Sequence, residues 1–177
     1  MVYQWYSEIS GSNNIEQGDL IPECPIVMPP SSIEVGDEPE IEVRLIDSII
    51  LSQSCDLVNA KLEIVLVCPY YSLKIFVDNL QGQQNKKTIS KHIENLEKGH
   101  LPGYHLLNKS SKNNINDYLV VDFRNVYGVQ INNLKEIARK LNSRTRLLPP
   151  YREHLSQAFA RFFMRVGLPQ DIIIDGY

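Results

Sequence analysis

The residues of this chain that could do chemistry fall into a few small groups. Ser52, Ser54 and Asp56 follow the aliphatic run Ser48-Ile49-Ile50-Leu51, and Ser72 follows a second run, Ile64 to Cys68, closed by Pro69. Asp122 and Arg124 stand two apart after Leu119-Val120-Val121, and residues at i and i+2 of a strand share a face. An Arg that steadies a phosphate beside a carboxylate that moves a proton is a phosphoryl-transfer arrangement. A cross-face salt bridge is the plainer reading of the same two residues. If the sheet that carries these groups curls on itself, Ser52, Ser54, Asp56, Ser72, Asp122 and Arg124 share one rim, where scaffolds present functional groups.

Other chemistries find less support. His92, His100, His105 and His154 have no metal-ligand spacing, and the first three flank a loop, where exposure is expected. Cys24, Cys55 and Cys68 are an odd number at wide spacing, unlike a disulfide framework, and buried Cys is common as a plain hydrophobe. Cys55 beside Asp56 has no near His to activate it as a nucleophile. No glycine-rich phosphate loop is present, and the acids of residues 34–42 read as a solvated charge run. No cofactor and no metal are expected.

At 177 residues, 43% apolar and 22% charged, the chain fits one domain with a real core. It has no apolar run of the roughly 20 residues that a membrane span needs. Its first residues carry no basic region leading into an apolar one, so no signal peptide is expected, and a reducing cytoplasm is the expected location. Residues 1–63 hold twelve Asp/Glu against Arg44 and Lys61 alone, and residues 132–177 hold eight Lys/Arg against four acids. That basic third either meets phosphates or faces the acidic third within the fold or across a dimer.

The elements that must position these groups are mostly strands. Gly18 to Ile21 opens a first strand that Pro22 closes, and residues 29–42 form an acidic, Pro/Ser-rich loop insertion. Ile41 to Leu45 alternates, Ile46 to Leu51 and Leu62 to Cys68 make the apolar centre, and Ser72 to Val77 alternates again as a third strand. Residues 79–88 read as a loop and Ser90 to Leu96 as a short helix. Tyr118 to Phe123 and Val126 to Ile131 are strands. Asn132 and Asn133 cap a helix whose apolar face is Leu134, Ile137, Ala138 and Leu141, and Arg144 to Leu148 is a connector. The helix predicted over residues 151–166 carries Leu155, Ala158, Phe159, Phe162, Phe163 and Val166 as one stripe, with Gly167 to Pro169 as its stop. The aromatic cluster Tyr3, Trp5 and Tyr6 pins the N-terminus to the body.

This order of elements resembles the MazF/PemK type of small β-barrel found in toxin–antitoxin ribonucleases. The pieces that carry the resemblance are Gln17-Gly18-Asp19-Leu20, Ile49-Ile50-Leu51-Ser52, Val65-Leu66-Val67-Cys68-Pro69 and Leu119-Val120-Val121-Asp122-Phe123-Arg124, across roughly residues 15–145. It implies a mainly β, α+β fold over residues 1–177: a small SH3-like, MazF-like curled barrel with the C-terminal amphipathic helix packed on it. It also implies metal-independent cleavage of single-stranded RNA, or RNA binding by a degenerate site, by a two-fold homodimer. Asp122 would move a proton, Arg124 or Arg44 would steady the phosphorane, and Ser72 would survive from the family's Thr-Ser pair, with Ser52 and Ser54 beside the RNA. The chain departs from the pattern at two places. Ile46-Asp47 stands where active members carry Arg, and Tyr71 where they carry Thr. The alternative is therefore a catalytically silent interaction protein of a bacterial defence or regulatory system, built on the same barrel and binding a protein partner.

Overall fold

The computed structural model describes residues 3–164 apart from positions 33, 37, 39, 60 and 82–84. Its sheet is built around β4 (Ile64–Ser72). β3 (Glu42–Ile50) lies antiparallel on one edge of β4, with Ile49 opposite Cys68 and Ile50 opposite Val67, so the two aliphatic runs are neighbouring strands. The other edge is divided: β7 (Tyr127–Gln130) takes Ile64 to Val67, and β6 (Leu119–Asp122) takes Tyr70 to Ser72. β2 (Leu20–Met28) joins β3, and β5 (Tyr104–Leu107) joins β6. β1 (Tyr6–Ser10) pairs with β8 (Ser143–Leu147) as a separate ribbon.

The helices are α1 (Ser54–Val58), α2 (Leu73–Gln81), α3 (Lys86–Glu97), α4 (Ile131–Lys140) and α5 (Tyr151–Phe163). The fold is thus α+β with antiparallel sheets, but the expected barrel is not closed: β2 and β5 end the path of the larger sheet. One cause is local. Residues 72–77, expected as a strand, turn into a helix, because Ser72 Oγ accepts the Ile75 N–H and starts α2. Leu73, Phe76, Val77 and Leu80 then fall at helical spacing and pack with Leu96 of α3 against Val120.

Strand alternation sorts the core into layers. Val65 and Val67 of β4 look towards Ile26, Ile50 and the α4 residues Ile131, Leu134 and Ala138. Further along the same face, Tyr71 joins the α2–α3 cluster. The opposite face carries Ile49, Leu51, Cys68, Val121 and Phe123, covered by α5 through Leu155, Ala158, Phe159 and Phe162, and by Tyr6 and Leu147 of the ribbon. Phe123 sits 5.4 Å from the Phe159 ring and 6.3 Å from that of Phe162. Trp5 stacks on Tyr151 at 3.5 Å, which fastens the N-terminal segment to α5.

Several boundaries differ from expectation. β2 runs on through Pro22 by a bulge at Glu23, which adopts φ +48° while its N–H donates to Asp47 Oδ1. α4 starts at Ile131, two residues earlier than an Asn132 cap would place it, with the Gln130 side chain accepting the Asn132 N–H. Residues 144–147, expected as a connector, belong to β8. Phe163, expected in the apolar stripe of α5, is 64% exposed and lies edge-on to Phe159 and Phe162. Val166 and the expected Gly167–Pro169 stop lie outside the described residues.

Candidate functional site

Asp122 and Arg124 do meet. The guanidinium donates from Nε to Asp122 Oδ1 at 2.9 Å and from Nη2 to Oδ2 at 2.7 Å, and the Arg124 N–H reaches Oδ1 at 3.0 Å. Tyr71 Oη and Asn125 Nδ2 each approach Oδ2 at 3.4 Å. The Asp122 carboxylate, 3% exposed, is thereby filled with donors. It fixes Arg124 in place. Arg124 is raised further above its ordinary pKa, first by its hydrogen bond to Asp122. Its side chain stays 54% exposed and lies over the Tyr104 ring at 4.5 Å. Gly103 leaves room for this approach, since an added Cβ there would stand 3.1 Å from Arg124 Cγ.

Ser72 does not join them. It lies opposite Leu119, and directly opposed residues share a face, so Ser72 belongs to the Leu119–Val121 side of β6 and Asp122 to the Val120 side. Ser52 and Ser54 are equally local in role. Ser52 Oγ accepts the Leu66 N–H at 2.9 Å, joining the end of β3 to β4, and Ser54 Oγ accepts the Gln17 N–H at 3.1 Å. Asp56 pairs with Lys61 at 3.6 Å. Arg44 is exposed on β3 and forks onto Glu42, two strands away from β6. The expected common rim is therefore not assembled.

What is assembled instead lies along the free edge of β5. A cleft of about 460 Å³ runs there between the end of α3 with the loop behind it and α5. Leu96, Lys98 and Tyr104 line one side, His154, Gln157 and Arg161 the other, with His105 between them. The Phe123 N–H bonds the Gly103 carbonyl, so the antiparallel alternation directs residue 105 towards β6 and turns the backbone groups of Leu106 towards the cleft. His105 is half-buried beside the Phe123 ring, at 6.3 Å. Burial pushes its imidazole down to about 4, helped by the neighbouring His154 and Arg161, so it is neutral at pH 7. Arg161 donates to the Gln157 carbonyl and has no carboxylate within ion-pair distance among the described residues, whereas Lys98 holds Glu94. The Asp122–Arg124 pair adjoins this cleft through Tyr104.

Sequence reasoning missed this site because its two imidazoles are 49 residues apart and come from an edge strand and a helix with no shared motif. The burial of His105 is created by α5. A signal was present in the alternation Tyr104-His105-Leu106-Leu107, which is that of a strand.

Three further arginines of the basic third, Arg144, Arg146 and Arg152, are spent inside the molecule. Arg144 and Arg146 project from one face of β8 onto Asp19, with Arg144 Nε to Oδ2 at 2.8 Å and Arg146 Nη2 to Oδ2 at 3.0 Å. Arg144 also donates to the carbonyls of Ser10, Gly11, Asn13 and Asn14, and Arg146 and Arg152 both reach Glu16. Part of the charge asymmetry between the two thirds is thus used intramolecularly. Among the described residues no three His, Cys, Asp or Glu converge on a metal position, and no helix is long and apolar enough to cross a membrane. Cys24 and Cys68 are buried in different layers, and Cys55 is exposed. No protein-family model matches the chain, and no curated protein matches it.

Proposed function

We propose that this protein acts on single-stranded RNA, as the MazF/PemK resemblance implies, but through residues other than those the resemblance names. The phosphate backbone lies along the β5–α5 cleft, facing Arg124, Lys98 and Arg161. The observation that carries this reading is a pair of imidazoles, His105 and His154, on facing elements of one cleft that also holds Arg161, which has no carboxylate partner among the described residues, beside Lys98 and Glu97. Two imidazoles can divide the work of phosphodiester transfer. Neutral His105 takes the proton of the 2′-hydroxyl, O2′ bonds to phosphorus, and the P–O5′ bond breaks as the departing O5′ takes a proton from the ring of His154. The products are a 2′,3′-cyclic phosphate and a 5′-hydroxyl. Arg124, held by Asp122 through Nε and Nη2, turns Nη1 outward to the phosphate, and its exposed guanidinium plane suits stacking with an unpaired base.

The test is a mixed single-stranded RNA pool incubated with the full chain in EDTA, read by gel and end chemistry. Cyclic-phosphate ends are expected, with cleavage lowered at least about 100-fold by His105→Asn or His154→Asn. Arg124→Ala weakens binding more at low salt than at high salt. Intact RNA together with no binding at low salt overturns the proposal. A second reading, a protein-binding role on the same fold, is favoured by one separate observation: an exposed apolar face on the β2–β3 arm.

A further inference from the structure

The β5–α5 cleft has a floor and two walls of different origin. α3 packs through Leu96 on the Val120 side of the β5–β6 pair, and α5 packs through Ala158, Phe159 and Phe162 on the Val121 and Phe123 side. Leu96 and Ala158 both line the cleft, so the space between the helices continues the plane of the sheet past the free edge of β5. A planar ring entering this slot meets the strand edge-on, with an apolar side chain towards each of its faces.

What the floor presents is set by register. The Phe123 N–H bonds the Gly103 carbonyl and Tyr104 lies opposite Asp122, so the backbone groups of Tyr104 and Leu106 point away from β6. The Tyr104 N–H is taken by the Leu101 carbonyl. The Leu106 N–H and the carbonyls of Tyr104 and Leu106 have no hydrogen-bond partner among the described residues. Along the edge the order is therefore acceptor, donor, acceptor. A free edge can take another strand, but β5 is four residues long and this single rung is too little for a ladder. It suffices for a nucleobase, which is read by two or three groups along one of its edges.

The order discriminates among the bases. Adenine sets its amino group beside the acceptor N1, which matches one carbonyl and the Leu106 N–H, and leaves a neutral C–H at the third position. Cytosine matches the same two groups but turns its own carbonyl onto the remaining acceptor. Uracil repeats the order of the strand and meets like with like, and guanine brings an N–H against that of Leu106. We infer that the slot selects adenine, whose N1 accepts from the Leu106 N–H while its amino group donates to a carbonyl of the same edge. The inference rests on the cleft being an RNA site and adds the base that the site reads, with the phosphates at the mouth beside Lys98 and Arg161.

The test is fluorescence anisotropy of the full chain with labelled uracil pentamers in which the central base alone is varied. Their sugars are 2′-fluoro, so no hydroxyl is left to react. Central adenine is expected to bind at least about tenfold more tightly than uracil, cytosine or guanine. Purine, which lacks the amino group, falls to the uracil level, and 2,6-diaminopurine, whose second amino group meets the second carbonyl, binds more tightly than adenine. Leu106→Pro removes the donor without breaking a ladder bond and erases the preference, leaving the salt-dependent binding common to all pentamers. The base analogues probe the same groups on the unaltered chain, so the outcome does not depend on that variant folding. Equal binding of all central bases, preference for another base, or purine bound as well as adenine overturns the inference and leaves the RNA reading standing. No binding of any pentamer at low salt overturns both.

Discussion

Replacing Asp19 with Ala removes the anion on which two buried arginines converge. The carboxylate is wholly buried and accepts from Arg144 Nε, from Arg146 Nε and Nη2, and from the Glu16 N–H. Arg146 keeps Glu16 after the substitution, but Arg144, whose side chain is also wholly buried, is left with carbonyl acceptors alone. Breaking a buried pair on one side costs about 3–5 kcal/mol, a large part of the ~5–15 kcal/mol by which a domain is stable. With a urea slope of about 2 kcal/mol/M, the unfolding midpoint falls by roughly 2 M at constant slope. Adding Arg144→Met to Asp19→Ala should recover part of the loss, because the stranded charge goes with it. A drop below about 1 kcal/mol, or strictly additive costs in the double variant, would refute the view that these charges are mutually compensating.

Two further outcomes follow from local geometry. His105 binds its proton less readily folded than unfolded, so stability contributed by the neutral ring is present above pH 6.5 and is lost as pH falls towards 4. Urea midpoints at pH 7 and 4.5 should therefore show wild type losing up to about 3 kcal/mol more than His105→Asn. Gly18 holds φ +83°, and an added Cβ would stand 2.9 Å from Leu147 Cβ. Gly18→Ala should cost at least about 1 kcal/mol more than Gly99→Ala, which shares the positive φ but meets nothing within 4 Å.

Where local pattern and tertiary environment agreed, the sequence was readable. Ile49 and Ile50 are aliphatic because both faces of the sheet are covered there, Val65 and Val67 because one face of β4 is, and the two runs pair as expected. The helix with Leu155, Ala158, Phe159 and Phe162 packs on the sheet as its spacing implies. Misreadings came where a short segment satisfied two periods, or where a buried residue was charged. Ser72 to Val77 alternates like a strand, yet Leu73, Phe76, Val77 and Leu80 satisfy the helical spacing, and the packing partner Val120 decides between them. Ser143 to Leu147 hides as a strand because its inward residues are Arg144 and Arg146, which read as solvent-facing until Asp19, 125 and 127 positions earlier, is known to meet them. The candidate site suffered the same way. Asp122 and Arg124 were legible as an i, i+2 pair, but the imidazole cleft depends on how α5 crosses an edge strand, which no local pattern encodes.

The β1–β8 ribbon has a consequence for biosynthesis. Tyr6 is buried opposite Leu147, and Ser10 lies opposite Ser143, so β1 waits for a partner made more than 130 residues after it. At about 5–20 residues per second, the delay before β8 is made is on the order of ten seconds. During that interval Tyr6 lacks its strand partner, and Asp19 waits for both of its arginines. A product truncated before residue 143 leaves its first strand unpaired permanently. Such fragments would be targets for chaperones and proteases, and they would also lack α5 with His154, which is made later still.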